Sequence, residues 1–445
     1  MSRWRAVASA VALVAGVSVA APASAAADPA DGGLWYYTKT GVAAAHERST
    51  GEGITIAVID GPVNPAAPDL VGANLVVRDS FCGAPDGQTP TETATDATAE
   101  HATTIISLLV GTGAGAGGQP GVRGVAPGAT VLHYSMRPPG WYEETPSQDR
   151  PDCIRPDGVA DYGYPIANAI DDAVAQGARI ISMSSGGLWN EPIGLAVARA
   201  HAAGAVILGA PNNDGGYAPM YPAEGNGVVM VEMADANLQL DEGSYTTSHP
   251  YMGVVAPGAD ILAPVPGDGS WQDYQLVWGT SYATPWTAGV LALAWSQHPE
   301  ATGNQMIQAL IRNTAVENEE PLHDDQWGYG PVSVSRLMDA DPTTYPDENP
   351  FLRPLDDVDA VPTTRQVLAA MADARPTATA EPTPAPTPEA TPAPADDSAT
   401  ATDAATPVVP IALGIGALLV GLVVAAVLLL RRRRTAASTA TRREP

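Results

Sequence analysis

The segment Gly279-Thr280-Ser281-Tyr282-Ala283-Thr284-Pro285-Trp286-Thr287-Ala288-Gly289-Val290-Leu291-Ala292-Leu293 places a serine at the entrance of an apolar helix expected over residues 282–297. Alone, Ser281 reads as a cap with Pro285 in the first turn behind it. The length and order of the segment are more specific than a cap requires. Upstream, short apolar runs at 54–59, 130–134, 179–183, 205–208 and 228–231 alternate with helix-like segments at 103–110, 159–176 and 192–203. Nearly continuous apolar strands separated by helices predict an α/β fold whose mainly parallel sheet is covered on both faces. In such sheets functional residues gather just past the carboxyl ends of the strands.

Two residues stand at such places. Asp60 ends the run Ile54-Thr-Ile-Ala-Val-Ile-Asp60-Gly-Pro, and His101 opens a helix in Glu100-His101-Ala-Thr-Thr-Ile-Ile. Taken singly, the aspartate starts a turn and the histidine caps a helix or fills the core. Taken with Ser281, in the order Asp, His, Ser, the three segments resemble the subtilisin-like serine proteases, or subtilases, whose triad has this order. The family's serine segment, Gly-Thr-Ser-x-Ala-x-Pro-x-x-Ala-Gly, is matched at every fixed position from Gly279 to Gly289. Weaker matches are Gly124-Val-Ala-Pro-Gly128, Val255-Ala-Pro-Gly258, Met183-Ser-Ser-Gly-Gly187 and Ala205-Val-Ile-Leu-Gly-Ala-Pro-Asn-Asn213. The resemblance covers nearly all of 53–337 and implies a three-layer subtilisin-like fold and a peptide-bond hydrolase.

The chemistry of the residues agrees with that implication. A serine hydroxyl is a weak nucleophile without a base. His101 would take its proton and pass it to the leaving amine, while Asp60 would fix the imidazole's tautomer and stabilise its charged form. The oxyanion would meet the Asn213 side-chain amide and the Ser281 backbone N–H at a helix start. By resemblance, Ser184, Ser185 and Gly186 line one wall of the specificity pocket, and Ala210, Pro211 and Asn212 the other. Asn212 and Asn213 are adjacent, so either can supply the oxyanion amide by register; the following Asp-Gly favours Asn213. The chain departs from the family at Asp60-Gly61-Pro62 for Asp-Ser/Thr-Gly, and at His101-Ala102-Thr103 for His-Gly-Thr. It departs again at Asn212-Asn213 for Gly-Asn, and at Trp286, where a second histidine is common.

Charge organises the rest of the 445 residues. The net charge is −27, from 49 acidic and 22 basic residues, but eight of the basic ones crowd the ends: Arg3 and Arg5, then Arg431 to Arg434, Arg442 and Arg443. The acidic middle excludes nucleic acid as a main partner, because phosphate tracking needs clustered Lys and Arg. Arg3 and Arg5 precede an apolar run from Ala6 to Ala20, and Ala23-Ser24-Ala25 then offers the small-x-small pattern of a cleavage site, so the start reads as a secretory signal peptide. Residues 411–430 hold no charge and are stopped by four arginines, the pattern of one membrane span with a cytoplasmic tail. Before it lies a Pro/Thr/Ala-rich tract that cannot bury enough apolar surface to fold and is expected to be an extended stalk.

The expected organisation is a signal peptide (1–25), an N-terminal extension (26–52), a peptidase domain (53–352), a linker (353–407), a transmembrane helix (408–430) and a cytoplasmic tail (431–445). This layout, with an extension too short for a folded inhibitory propeptide, resembles the mycosins, membrane-anchored subtilases of actinobacteria associated with type VII secretion. Cys82 and Cys153, an even pair in an exported domain, are expected to form one disulfide. No cofactor is expected. Neither a His-Glu-x-x-His nor a paired Cys-x-x-Cys occurs, and no calcium-loop spacing is legible, although many subtilases bind structural calcium. The expected partners are a protein or peptide substrate, membrane lipid around the C-terminal helix and, by resemblance, a secretion complex. The alternative is a catalytically silent scaffold or binding module built on the same fold.

Overall fold

The computed structural model describes residues 32–83, 92–137, 152–161, 163–187, 189–213, 221–240, 249–316 and 321–374. The expected signal peptide, the linker beyond 374, the expected membrane helix and the tail lie outside the described residues. Among the described residues no helix is long and apolar enough to cross a membrane.

In chain order these residues form α1 (Trp35–Thr38), α2 (Val42–Ala45), β1 (Thr55–Asp60), β2 (Leu75–Val77), α3 (Glu100–Val110), β3 (Thr112–Ala114), β4 (Pro120–Arg123) and β5 (Thr130–Ser135). There follow α4 (Gly163–Ala175), β6 (Ile180–Met183), α5 (Glu191–Ala202), β7 (Val206–Gly209), β8 (Val229–Ala234), β9 (Met252–Pro257), β10 (Ile261–Val265) and β11 (Asp273–Val277). The last elements are α6 (Thr280–Gln297), α7 (Gly303–Arg312), α8 (Val334–Asp339) and α9 (Thr364–Ala374). Seven strands make one parallel sheet in the order β2-β5-β1-β6-β7-β8-β9, and β3-β4 and β10-β11 are antiparallel pairs. The chain leaves β1 toward one edge and later returns to β6 on its other side. The ends of β1 and β6 therefore flank the crevice where open α/β sheets bind ligands.

Side chains alternate across the sheet and make two cores. Ile56, Val58, Val131, Ile180, Val206, Leu208, Val229 and Val231 face α3, α6 and α7, whereas Ala57, Ile59, Tyr134, Ile181 and Ile207 face α4 and α5. The mainly parallel, doubly covered sheet of the sequence reading is therefore present. Helix α6 is apolar on all sides and buried from Ala283 to Trp295, as a helix with no polar face must be.

Several boundaries differ from expectation, each for a local reason. Helix α4 starts at Gly163 rather than 159 because Asp161 Oδ1 accepts the N–H groups of Gly163 and Tyr164, capping the helix there. Helix α6 starts at Thr280, so Pro285 lies in its second turn and not its first. The described part of the N-terminal extension, from residue 32, packs into the core. Tyr36 is fully buried, its hydroxyl donates to the Arg123 carbonyl, and its own carbonyl accepts the Trp286 indole N–H at 3.1 Å. Trp286, which replaces the family's frequent histidine, thus ties α6 to the extension, as do the bonds of Ser49 to Ser296 and of Arg48 to Gln297. Residues 353–374, placed in the linker by composition, are folded. Val367 on α9 is buried, and the buried Asn226 donates to the Pro362 carbonyl and the Thr364 hydroxyl.

Cys82 and Cys153 are joined in a disulfide, and no described cysteine is free. The bond closes a loop of 71 residues, worth about 4 kcal/mol in the chain-entropy account. Reduction is expected to lower the unfolding free energy by about that amount, read as an earlier denaturation midpoint; identical unfolding curves with and without reductant would show that the loop contributes nothing.

Candidate active site

Asp60 is the last residue of β1, next to β5 on one side and β6 on the other. Its carboxylate is buried and met from three directions. Oδ1 accepts His101 Nδ1–H at 2.8 Å and Gly61 N–H at 2.6 Å, and Oδ2 accepts the Ser185 hydroxyl at 3.2 Å. Burial alone would raise its pKa. The charge and hydrogen bond of His101, the charge of Arg137 and the Gly61 N–H outweigh burial and hold it at about 2.

His101 sits in the first turn of α3, partly open to solvent, with its ring centroid 6.1 Å from that of Tyr282, the residue after Ser281. The helix is stitched to the Asp60 loop by Thr103, whose hydroxyl accepts the Asn64 N–H at 2.9 Å. Ala102 is fully buried and helical, so the missing family glycine is accommodated without strain.

Ser281 is held by an exchange of bonds with Ser184. The Ser281 hydroxyl donates to the Ser184 carbonyl at 3.0 Å, and the Ser184 hydroxyl donates to the Ser281 carbonyl at 2.7 Å. The second bond has a reason in the sequence. Pro285 has no N–H to give the carbonyl four residues earlier, so the Ser281 carbonyl is left for Ser184. The proline that reads as a helix-start signal therefore fastens the serine to the end of β6.

Asn213 follows β7. Its Oδ1 accepts the Thr280 N–H at 3.0 Å, and the Thr280 hydroxyl donates to the Pro211 carbonyl at 2.6 Å. With Oδ1 engaged, the amide nitrogen is the group left to face the cleft. A Cβ built on Gly279 would lie 3.4 Å from Asn213 Nδ2 and 3.7 Å from the Ser281 nitrogen, so the two donors bracket the bare face of this glycine. Gly279 has φ 151° and ψ 152°, a conformation open to glycine and hardly to any other residue. The Asn213 amide nitrogen and the Ser281 nitrogen thus lie close together beside Gly279 and the Tyr282 ring, and two such donors suit an oxygen that gains negative charge.

Met183 and Gly209 pair in register, so Ser184–Gly186 and Ala210–Pro211 leave the sheet side by side. The structure thus gathers Asp60, His101, Asn213, Ser281 and both expected pocket walls at the carboxyl edge of β1, β6 and β7. Ser185, expected only as a pocket wall, also bonds Asp60. Thr280 and Thr103 fall at motif positions, but their orienting roles were not read from the sequence, and the charge of Arg137 had no sequence signal. Among the described residues no cluster of His, Cys, Asp and Glu could hold a metal ion.

Three comparisons bear on this arrangement. Residues 51–330 match the model of the subtilase family. Thermitase of Thermoactinomyces vulgaris is 38% identical over 151 residues, 34% of this chain and 51% of that protein. The chain spans from 31% to 61% of the length of curated relatives such as a halolysin-like protease of Natrialba magadii and subtilisin E of Bacillus subtilis. Among solved structures, the MycP3 protease from the type VII (ESX-3) secretion system aligns with a TM-score of 0.54 at 23% identity, covering 71% of this chain and 90% of that one. MycP1 from Mycobacterium smegmatis aligns with a TM-score of 0.53 at 20% identity, covering 73% and 88%. At such identities the structural likeness speaks for the fold, and the match over 51–330 speaks for descent: the chain belongs to the subtilase family.

Proposed function

We propose that the chain is a serine endopeptidase of the mycosin kind, exported through its signal peptide, tethered by the span at 408–430 and acting outside the cytoplasmic membrane beside a secretion complex. The observation that carries the catalytic part is the convergence of a buried, ionised Asp60 on His101 Nδ1, with the His101 ring 6.1 Å from that of Tyr282, the residue after Ser281. The two-part amide cradle at Gly279 supports it. The membrane part rests on sequence patterns at the two ends, and the secretion part on the layout and on the likeness to the two solved proteases.

In this reading Ser281 Oγ turns from the Ser184 carbonyl toward the substrate as its proton passes to His101 Nε2. The new C–O bond pushes the carbonyl electrons onto oxygen, which is received by Asn213 Nδ2–H and the Ser281 N–H. Collapse expels the amine with the proton from His101. Water then repeats the sequence on the acyl-enzyme, and Asp60 stabilises the imidazolium each time it forms.

The full chain is expected to cut an unstructured protein at internal peptide bonds. Asn213→Ala should lower kcat about 10²–10³-fold with KM little changed, because the amide serves the transition state rather than the bound substrate. A mass-spectrometric digest reads the first expectation and steady-state kinetics the second. Loss expressed wholly in KM would move Asn213 out of the oxyanion site.

A further inference from the structure

His133 lies mid-strand in β5, fully buried, opposite Val58 in the parallel register. Its side chain falls on the same face of the sheet as Asp60, two positions along β1. The imidazole Nε2 is 2.8 Å from the Gly61 carbonyl, and among the described residues Nδ1 has no hydrogen-bond partner. An acceptor at Nε2 fixes the tautomer: the proton is on Nε2 and is donated to Gly61. Gly61 is the residue whose N–H bonds Asp60 Oδ1. It is also where the family carries a serine or threonine, and in this chain that side chain is gone and Pro62 removes the next N–H. In the turn after Asp60 the residue Gly61 is therefore gripped on both sides of its Cα, at its N–H by the carboxylate and at its carbonyl by His133.

We propose that His133 is a positioning residue for Asp60: by holding the Gly61 carbonyl it keeps the Gly61 N–H on the Asp60 carboxylate and that carboxylate aligned on His101. Burial keeps the imidazole neutral, its pKa pushed down to about 4, so the tether has one form across the neutral range. The charged groups around this corner are Asp60, His101 and Arg137, whose Cδ would lie 3.7 Å from a Cβ on Gly61. Arg78, beside His133 on the end of β2, is engaged by Asp172 on the other face. A Cβ on Gly61 would make only ordinary contacts, with the Thr98 carbonyl at 3.5 Å and Arg137 Cδ at 3.7 Å, so crowding does not require the glycine.

This inference rests on the proposed catalytic reading, so its test has one readout that needs turnover and one that does not. Full-length wild type, His133→Gln and His133→Leu are compared, with circular dichroism reporting that each is folded. Gln keeps an N–H donor at the end of a side chain of similar reach; Leu removes it. In His133→Leu the rate of Ser281 modification by a fluorophosphonate should fall about tenfold, the effect of one misplaced neutral hydrogen bond. The acid limb of its pH profile should move to lower pH, because a misaligned Asp60 stabilises the imidazolium less. By proton NMR, the strongly deshielded proton between His101 Nδ1 and Asp60 should broaden or vanish in His133→Leu and persist in His133→Gln, which should also recover the rate to within about threefold of wild type. A folded His133→Leu with unchanged rate, pH profile and deshielded proton overturns the proposal, as does equal damage in both variants. A wild type that keeps the proton but is never modified defeats the catalytic reading and leaves the tether to be judged on the NMR result alone.

Discussion

Ser281→Ala is expected to lower kcat by about 10⁶-fold while leaving substrate binding and folding intact, the largest effect of any single side chain in the molecule. The substitution removes the atom that forms the acyl bond and little else. The bond from Ser184 Oγ to the Ser281 backbone carbonyl survives, so the start of α6 stays fastened to the end of β6. The N–H of residue 281 and the Asn213 amide also survive, and a residual rate above the uncatalysed one should remain from the oxyanion cradle. A second change at His101 should therefore add almost nothing, since base and nucleophile act as one unit. Additive losses in the double variant would mean that the two residues act in separate steps.

Asp60→Asn is expected to cost about 10⁴-fold in kcat with KM changed little. An asparagine there is nearly isosteric, and the Ser185 hydroxyl can accept where it formerly donated, so the fold should hold. What fails is electrostatic. If the amide oxygen faces His101, the imidazolium lacks its negative partner; if the amide nitrogen faces it, the imidazole is driven into the wrong tautomer. Asp60 itself stays ionised down to about pH 2, held there by His101, Arg137 and the Gly61 N–H against its burial. Its folded pKa lies below the ordinary carboxylate value, so its contribution to stability is complete above about pH 4 and is lost only as pH falls toward 2. Activity at milder acidity should thus disappear with the uptake of one proton, by His101, giving a limb of unit slope in the pH profile of kcat/KM. A slope of two there would show that Asp60 titrates with it.

How far the molecule could be read from its sequence follows from what each signal depends on. The parallel sheet was legible because β1, β5, β6, β7 and β8 are buried on both faces and so appear as bare apolar runs. The edge strands β2 and β9, the ribbon β10-β11 and the helices after α6 were not read. Helix α7 did carry a signal, since Thr302 and Gln305 form a capping box around its start. The end of the domain was misjudged because 353–374 has the Pro, Asp and Ala content of a linker. It is held not by a large apolar face but by Asn226, which reaches Pro362 and Thr364 across more than a hundred residues of sequence. At the site, residues that touch the reaction were legible because their chemistry restricts their identity and order. Residues that act through others were not. Thr280 and Ser185 were named as motif and pocket-wall residues, but their bonds to Asn213 and Asp60, and the approach of Arg137 to Gly61, come from tertiary contact alone.

The central claim is that Ser281 is a nucleophile activated by His101 and Asp60, and its most direct test is covalent. The full-length protein in membranes or detergent is treated with a fluorophosphonate probe at neutral pH, digested, and the modified residue identified by mass spectrometry. A single adduct on Ser281 is expected, absent from Ser281→Ala and strongly slowed in Asp60→Asn. A folded protein in which Ser281 remains unmodified, with the Asp60–His101 hydrogen bond intact, would contradict it and would make the chain a silent member that uses the subtilase fold as a scaffold.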